Sequence, residues 1–597
     1  MIAHRQSKQR KGLTPRTFLP VLLCFSFAAC FVVHVPTAHA LSSLSTAAAP
    51  GRPKAIVVGA GPVGVAAALT LSSAPHHYDV ALLESAPEIS SQYDPSKAFL
   101  YNVNLRGQAL TSKFPSMQSK LAERGVPSGG FGGVDFMVVP ADPSKPLPKK
   151  KDRVAGGVNN SKEEGSSATD AKKKEEDEEA KPSYWIPRHA MVQLMLECVE
   201  EHNAECRSDA ELGRIDYCPG TECQSIRPSS DDSCVVVATL DKSTGQTLKR
   251  HAALLVGADG ANSRVRECLA SDDAAAAFAS WANCKPETFQ LRKWTSPSSH
   301  QRIKVLQLPP RFQIPDGEGG TLTTKSDSIY AIRSIHTGPR NYLSLGLLPM
   351  KDDDAVRPTN IVTRPDHEIW NIRDGEGVRQ WFEKAYPRMP FGKDGGMISD
   401  AEWDRFAKAE GTRFPYCQYS PGMGVSNDAG TCGIALVGDA IHAFPPDIGQ
   451  GVNAGLADVV ALDMALQGKD TVTSESAVDE DESLTLKSNI DRYQKQHEAE
   501  IASLIRLARF GAPYQYKQPH RIDVIRRKFW TANVILRLLL NKLTLGLVPA
   551  QCIMLSQDPK LTFRQVMRRA DLTALSFKAI ALAVIGTLLR KRFGLSA

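Results

Sequence analysis

The stretch "KAIVVGAGPVGVAAALTLSS", beginning at Lys54 and followed by "DVALLES", constrains this chain more than any other. A β-branched run reads as a strand, and a glycine turn, an Ala/Leu helix and a second apolar strand follow. Gly59-Ala60-Gly61-Pro62-Val63-Gly64 lies between strand and helix, where a dinucleotide fingerprint belongs. Gly59 permits the tight turn, Gly61 lets backbone approach a pyrophosphate, and Gly64 lets the helix pack on the strand. Glu84 follows Gly64 by twenty residues, at the end of the second strand, where a carboxylate accepts hydrogen bonds from a ribose hydroxyl. The pattern predicts an α/β fold with a Rossmann-like nucleotide domain.

A chain of 597 residues is too long for one core. Residues 52–284 read as the first part of the nucleotide domain, interrupted over 142–183 by charge blocks such as "AKKKEEDEEAK". That insertion lacks the apolar surface to offset its ordering entropy and is expected to be a disordered surface loop. From 285 to 425, stretches such as "SIYAIRSIH" and "NYLSLGLLPM" suggest a sheet-rich second domain, and 426–470 returns to the first. Residues 488–597 read as helices.

Two further segments share the strand-then-turn character of the fingerprint. "LLVGADGANSRVR" ends an apolar strand at Asp259-Gly260. "TCGIALVGDAIHAFPPDIGQGVNAGLADV" ends one at Gly438-Asp439 and opens a helix after Gly449, Gln450, Gly451 and Asn453. Together the three motifs resemble the signature of the FAD-dependent aromatic-ring hydroxylases that share the para-hydroxybenzoate hydroxylase fold, over roughly residues 54 to 515. The resemblance implies a three-layer ββα FAD-binding domain with Asp439 on the ribityl and ribose part of FAD. Gly449 to Asn453 would lie under the isoalloxazine ring at a helix N-terminus, whose N–H groups and dipole favour negative charge. Only one fingerprint occurs, so no dedicated nicotinamide domain is built in, and the resemblance implies that NAD(P)H is met transiently at the surface. The family then uses O2 and delivers one oxygen atom to a small substrate, while the protein positions that substrate and excludes water.

Within the group, "IGQGVNAGLAD" is similar to a stretch typical of the kynurenine 3-monooxygenase family, and "KAFLYNVNLRG" lines up with its N-terminal loop. That alignment sets Arg106 near FAD, and Arg188 in "SYWIPRHAM" falls on an arginine that begins a helix in the family. Departures touch the substrate. The arginine that holds an amino-acid carboxylate in that family is Lys97 here, a point charge in place of a fork. "FPPDIG" replaces an aromatic pair. Lys97 and Tyr101 are the residues expected to anchor an acidic or phenolic substrate; no residue is assigned a catalytic role, and His442 reads as a structural turn residue. An epoxidase or hydroxylase of a lipid-soluble ring, such as a carotenoid or quinone precursor, is an alternative, as is a flavin-binding membrane protein without turnover.

The ends carry a different message. Basic residues, the run "FLPVLLCFSFAACFVV" and "AHA" make 1–40 a signal or targeting segment with cleavage expected after Ala40, so the chain is expected to enter the secretory route, with a plastid destination open. "LTALSFKAIALAVIGTLL" near the C-terminus approaches the ~20 residues of a membrane span, and membrane association is expected. The net charge of +7, from 72 basic and 65 acidic residues, gives no broad nucleic-acid footprint. Twelve cysteines without a C-x-x-C pair read as buried thiols, and no metal cluster is legible. Oligomeric state stays open.

Overall fold

The computed structural model describes residues 51–87, 99–129, 134–149, 181–209, 211–281, 284–338, 341–393, 396–470, 485–514, 516 and 521–593. The targeting segment, Lys97 and most of the charged insertion lie outside them.

A six-stranded sheet organises the first core. In spatial order it runs Gly424–Ser426, Gly433–Leu436, Leu254–Gly257, Lys54–Val58, Asp79–Leu83 and Ile215–Cys218. All neighbours are parallel except the Gly424–Ser426 edge, which is antiparallel. Strands of a parallel sheet are covered on both faces and read as continuous apolar runs. "AIVV", "LLVG" and "GIAL" do so, and Val57, Leu255 and Ala435 are fully buried. Register matters most here: Val58 lies beside Leu83 and Gly257, and Gly257 beside Leu436. Three strands distant in sequence therefore end level, and each end delivers one of the three motifs to the carboxyl edge, where ligands of open α/β sheets bind.

A second six-stranded sheet runs Thr412–Arg413, Arg302–Leu308, Arg357–Thr363, Ser344–Leu347, Ile329–Arg333 and Phe136–Val139. One face packs on helices Gly375–Ala385 and Asp400–Lys408 through Trp370, Phe382, Tyr386, Phe391, Trp403 and Phe406, a separate aromatic core. Because Met137, Val139, Tyr330, Ile332 and Ile361 point into that core, their neighbours Val138, Ile329, Ala331, Asn360 and Val362 face the other way and are only half-buried.

The boundaries read from the sequence shift in three places. Phe136–Val139, assigned to the nucleotide domain, pairs in parallel with Ile329–Arg333 of the second sheet. Residues 142–149, assigned to the disordered insertion, are held down. Arg388 donates to the carbonyls of Pro140 at 2.9 Å, Asp142 at 2.5 Å and Lys145, and Leu147 N donates to Asp316 O at 3.0 Å. At the insertion's other end, Ser183–Pro187 is already a strand, pairing with Leu100–Val103. Finally, Cys417–Tyr419 and Gly424–Ser426 return to the first core before 426, because Cys417, Met423 and Val425 pack there. A charged run conceals anchoring of the kind seen over 142–149, since the bonds are made by backbone carbonyls.

Leu486–Phe510 packs against the first sheet, whereas Arg521–Leu543, the turn after it and Phe563–Phe593 expose apolar side chains: Phe529 is 74% exposed, Leu543 78% and Leu545 96%. Among the described residues one helix, Phe563–Leu588, is long and apolar enough to cross a membrane, and its most apolar window is 6% buried.

Candidate cofactor site

The fingerprint glycines differ in what surrounds them. Gly59 has φ +99° and lies so close to the Leu254–Gly257 strand's exit that a Cβ would stand 2.5 Å from Ala258 O. At Gly64 a Cβ would stand 1.8 Å from Gly59 O, which is how the Pro62–Ser72 helix comes to rest on the turn. At Gly61 a Cβ meets nothing within 4 Å. The first two are closed against protein and the third faces open space, as a backbone that must approach a pyrophosphate requires. Glu84 sits at the end of its strand with Oε2 accepting from Ala60 N at 2.9 Å and Oε1 from Ala86 N at 2.8 Å. Oε1 also accepts from the Ser85 hydroxyl at 3.4 Å, so Oε2 is the oxygen that retains a lone pair for a ribose hydroxyl.

At the third motif, Asp439 lies just beyond the end of the Gly433–Leu436 strand. Its carboxylate is open to solvent, yet enough protein surrounds it that desolvation raises its pKa, with His442 lowering and Asp458 raising it. Tyr101 shares this electrostatic neighbourhood: burial raises its phenol, Arg188, which bonds it, opposes the rise, and Asp439 adds to it. Tyr101, Arg188 and Asp439 thus share one electrostatic neighbourhood although they come from a strand, a helix start and a turn far apart in sequence.

Twelve residues after Asp439 the Gly451–Leu466 helix begins. Gly449 adopts the left-handed conformation at φ +61°, and Cβ atoms at Gly449 and Gly451 would meet nothing within 4 Å. Gln450 is fully buried and its Nε2 has no partner among the described residues. A buried amide donor without an acceptor costs ~1–3 kcal/mol, so the site is built to receive one from elsewhere. An open turn at the start of a 16-residue helix, whose first N–H groups have no acceptor within the helix, fits the carbonyl edge of a flavin ring.

Three expected contacts resolve differently. Arg106 is held by two carbonyls and an aromatic face of the C-terminal segment; Nη2 donates to Leu561 O at 2.7 Å and Asp558 O at 3.4 Å. Asn453 is fully buried and spent on protein: Oδ1 accepts from Asn104 N at 3.0 Å and Nδ2 donates to Asn102 O at 2.8 Å, locking the Leu100–Val103 strand to the helix. Asp259 Oδ2 accepts from Arg264 N at 2.6 Å and Val265 N at 3.1 Å and so caps the next helix. That cap has a purpose in assembly, since Arg266 of the same helix is buried and donates to Ala440 O at 2.7 Å, tying the second motif to the third. Lys97 lies outside the described residues.

Two buried carboxylates escaped sequence reasoning. Asp458 accepts from Gly438 N at 2.7 Å, His442 Nε2 at 2.8 Å and His497 Nε2 at 2.6 Å, and these bonds hold its pKa far below the ordinary range against desolvation. His442 is therefore a structural residue, as its place in the turn suggested. The available signal was composition: Asp458 and Asp463 interrupt an otherwise apolar helix face, "GLADVVALDMAL". Asp447, on the turn before Gly449, is 5% exposed, and desolvation pushes its pKa up to about 6 despite a lowering bond from Ser298. A carboxyl raised in the folded state contributes stability below ~3.9 that is lost as pH rises through about 6, here about 3 kcal/mol. Asp447→Asn is expected to lack that decline, seen as a smaller fall in Tm between pH 4.5 and 7.5 than in the wild type. Equal falls would remove the assignment.

The family profile described as FAD binding domain matches residues 149–341 and 429–477. This match, to an FAD binding domain, falls on less than half of the chain. The second part of the match to this FAD-binding domain contains the whole third motif, with Asp439, Gly449 and Gly451. No curated protein sequence matches. Among solved structures, the chain is similar to pqsL, a probable FAD-dependent monooxygenase from Pseudomonas aeruginosa, at 15% identity and TM-score 0.41, covering 77% of this chain and 97% of that one. It is similar to 2-methyl-3-hydroxypyridine-5-carboxylic acid oxygenase at 15% identity and TM-score 0.43, over 77% and 90%. It is also similar to the tetracycline destructase Tet(55) at 13% identity and TM-score 0.47, over 82% and 96%.

Proposed function

We propose that this chain is an FAD-dependent monooxygenase that uses NAD(P)H and O2 to hydroxylate a small aromatic or otherwise apolar-bodied substrate, in the manner of the kynurenine 3-monooxygenase family. The observation that carries this reading is Asp439, an exposed residue at a strand end in the electrostatic neighbourhood of Tyr101, ahead of the glycine-opened helix N-terminus. Bound FAD supplies hydride acceptance and oxygen activation. The residues do the rest. Gly61 leaves room for the pyrophosphate, and Glu84 and Asp439 accept from the sugar and ribityl hydroxyls. Gln450 Nε2 and the N–H groups after Gly449 donate to the ring's carbonyl edge. Tyr101 meets a polar substituent of the substrate; its phenol stays protonated because burial raises its pKa. The half-buried face bearing Val138, Ile329, Ala331 and Val362 suits an apolar ring, with Asn360 as its polar member.

Asp439→Ala is expected to weaken FAD binding by about 1–3 kcal/mol, because it removes an acceptor for flavin hydroxyls. The flavin-to-protein ratio after gel filtration and a fluorescence titration measure this, and an unchanged ratio would sink the assignment. Turnover is tested by NADPH oxidation with candidate substrates. Bound flavin that stays oxidised under anaerobic NADPH, whatever is added, would leave a flavin-binding protein without hydroxylase activity.

A second reading rests on the C-terminal helices. The exposed Phe529, Leu543, Leu545, Ile580 and Leu582 suit a lipid surface, and with the N-terminal run they support membrane association along the secretory route. A substrate dissolved in that membrane, such as a carotenoid or quinone precursor, would then be epoxidised or hydroxylated. Co-sedimentation of the full chain with lipid vesicles separates the two locations; recovery of all protein in the supernatant would exclude the membrane reading.

A further inference from the structure

Arg106 joins two parts of the molecule that the proposed flavin site would not otherwise require to communicate. Its guanidinium donates to Leu561 O at 2.7 Å and Asp558 O at 3.4 Å and lies 4.2 Å over the Phe563 ring, which is 2% exposed. Those three residues lead directly into the Phe563–Phe593 helix, whose first N–H groups, Phe563 N and Arg564 N, donate to Glu500 at 2.5 and 2.9 Å. On its other side, Arg106 belongs to the Leu105–Thr111 helix. Its N–H donates to the cap residue Asn104 Oδ1 at 3.0 Å. Asn104 in turn holds the third motif: its N–H donates to Asn453 Oδ1 at 3.0 Å and its Nδ2 reaches Gln450 Oε1 at 3.5 Å. Asn453 Nδ2 closes the loop on Asn102 O, one residue from Tyr101.

We propose that Arg106 is a positioning residue that couples the seating of the C-terminal helix to the geometry of the flavin-facing turn at Gly449–Asn453, through Asn104. The chain of bonds is short and, apart from the exposed bond to Asp558 O, part-buried, so loosening one end releases the next. The guanidinium suits the task because its Nη2 donates to both carbonyls while its planar face lies on the Phe563 ring. Seated, the C-terminal helix holds Asn104 against Asn453 and keeps Gln450 Oε1 engaged, leaving its Nε2 for the ligand. Unseated, the Leu100–Val103 strand and the turn lose their common anchor. The outer, apolar part of the same helix is thereby given a means of tuning a site it does not touch.

The functional consequence of this coupling rests on the flavin reading, the structural one does not, and hydrogen exchange separates the two. Full-length wild type, Arg106→Ala, Arg106→Lys and Phe563→Leu are compared in detergent, with and without FAD. Arg106→Ala is expected to speed exchange at least tenfold across 100–108 and 449–456 while leaving the Lys54–Val58 and Asp79–Leu83 strands unchanged. It is also expected to weaken FAD binding at least tenfold and shift the visible flavin spectrum. Arg106→Lys, keeping one carbonyl bond and the ring contact, restores part of each, and Phe563→Leu lies between wild type and Arg106→Ala. Exchange that is unchanged at 449–456, or faster everywhere alike, overturns the coupling. Selective loosening by Arg106→Ala in a protein whose wild type takes up no FAD overturns the flavin reading and leaves the mechanical link standing.

Discussion

Replacing Asp458 with alanine is expected to cost about 3–5 kcal/mol of stability, because it strands buried partners that were paired. Three groups lose their acceptor at once: Gly438 N, His442 Nε2 and His497 Nε2. Asp458 is 1% exposed and His442 fully buried, so water does not readily replace the lost oxygens. The pH dependence should change sign as well. In the wild type, desolvation opposes His442 ionisation but Asp458 outweighs it, and the folded pKa is raised. Its contribution is therefore present below ~6.5 and lost as pH rises through the raised value. Asp458 has a depressed folded pKa, so its contribution is present above ~3.9 and lost only in strong acid. Without Asp458, burial dominates at His442 and lowers its pKa, so acidification through pH 7 to 5 should destabilise the variant. Thermal unfolding followed from pH 5 to 8 measures both effects. A variant within ~1 kcal/mol of wild type, or one with the wild-type slope, would show that the network is dispensable.

The second large effect comes from a pair of glycines. Gly64→Ala should cost ~3 kcal/mol or more, since overpacking against side chains costs ~1–3 kcal/mol and here the obstacle is a backbone oxygen 1.8 Å away. Gly61→Ala should leave the apo fold intact, because its Cβ meets nothing and its φ of −68° suits any residue. Yet it should lower FAD affinity tenfold or more, the methyl standing where phosphate must come close. The expected pattern is one variant that misfolds and one that folds without its cofactor. Circular dichroism melts and flavin titration read it directly. A Gly61→Ala protein with wild-type FAD affinity would move the pyrophosphate elsewhere.

The readable part of this molecule was local. A tight turn, an open turn and a close helix contact each demand glycine within a few residues, so Gly59, Gly61, Gly64, Gly449 and Gly451 declared themselves. Strand ends carrying Asp259 and Asp439 were legible for the same reason. What was hidden depended on distance. Phe136–Val139 is four apolar residues, equally compatible with either core, and only its pairing with Ile329–Arg333 decides. Arg106 and its acceptor Leu561 lie 455 residues apart, and no local pattern announces a bond between a guanidinium and a carbonyl. The fate of Asn453 was hidden similarly: an amide beside glycines at a helix start looks free until the Leu100–Val103 strand is seen to take both its ends.

The level ends of the Lys54–Val58, Leu254–Gly257 and Gly433–Leu436 strands have a consequence for biosynthesis. At ~5–20 residues per second on the ribosome, the first of these waits on the order of 20–80 s before the last exists to complete the sheet. Until then the edge of Leu254–Gly257 is an unpaired apolar template. A nascent chain of this design needs a chaperone to shield that edge, and truncation anywhere before Leu436 should yield aggregates rather than a weaker enzyme.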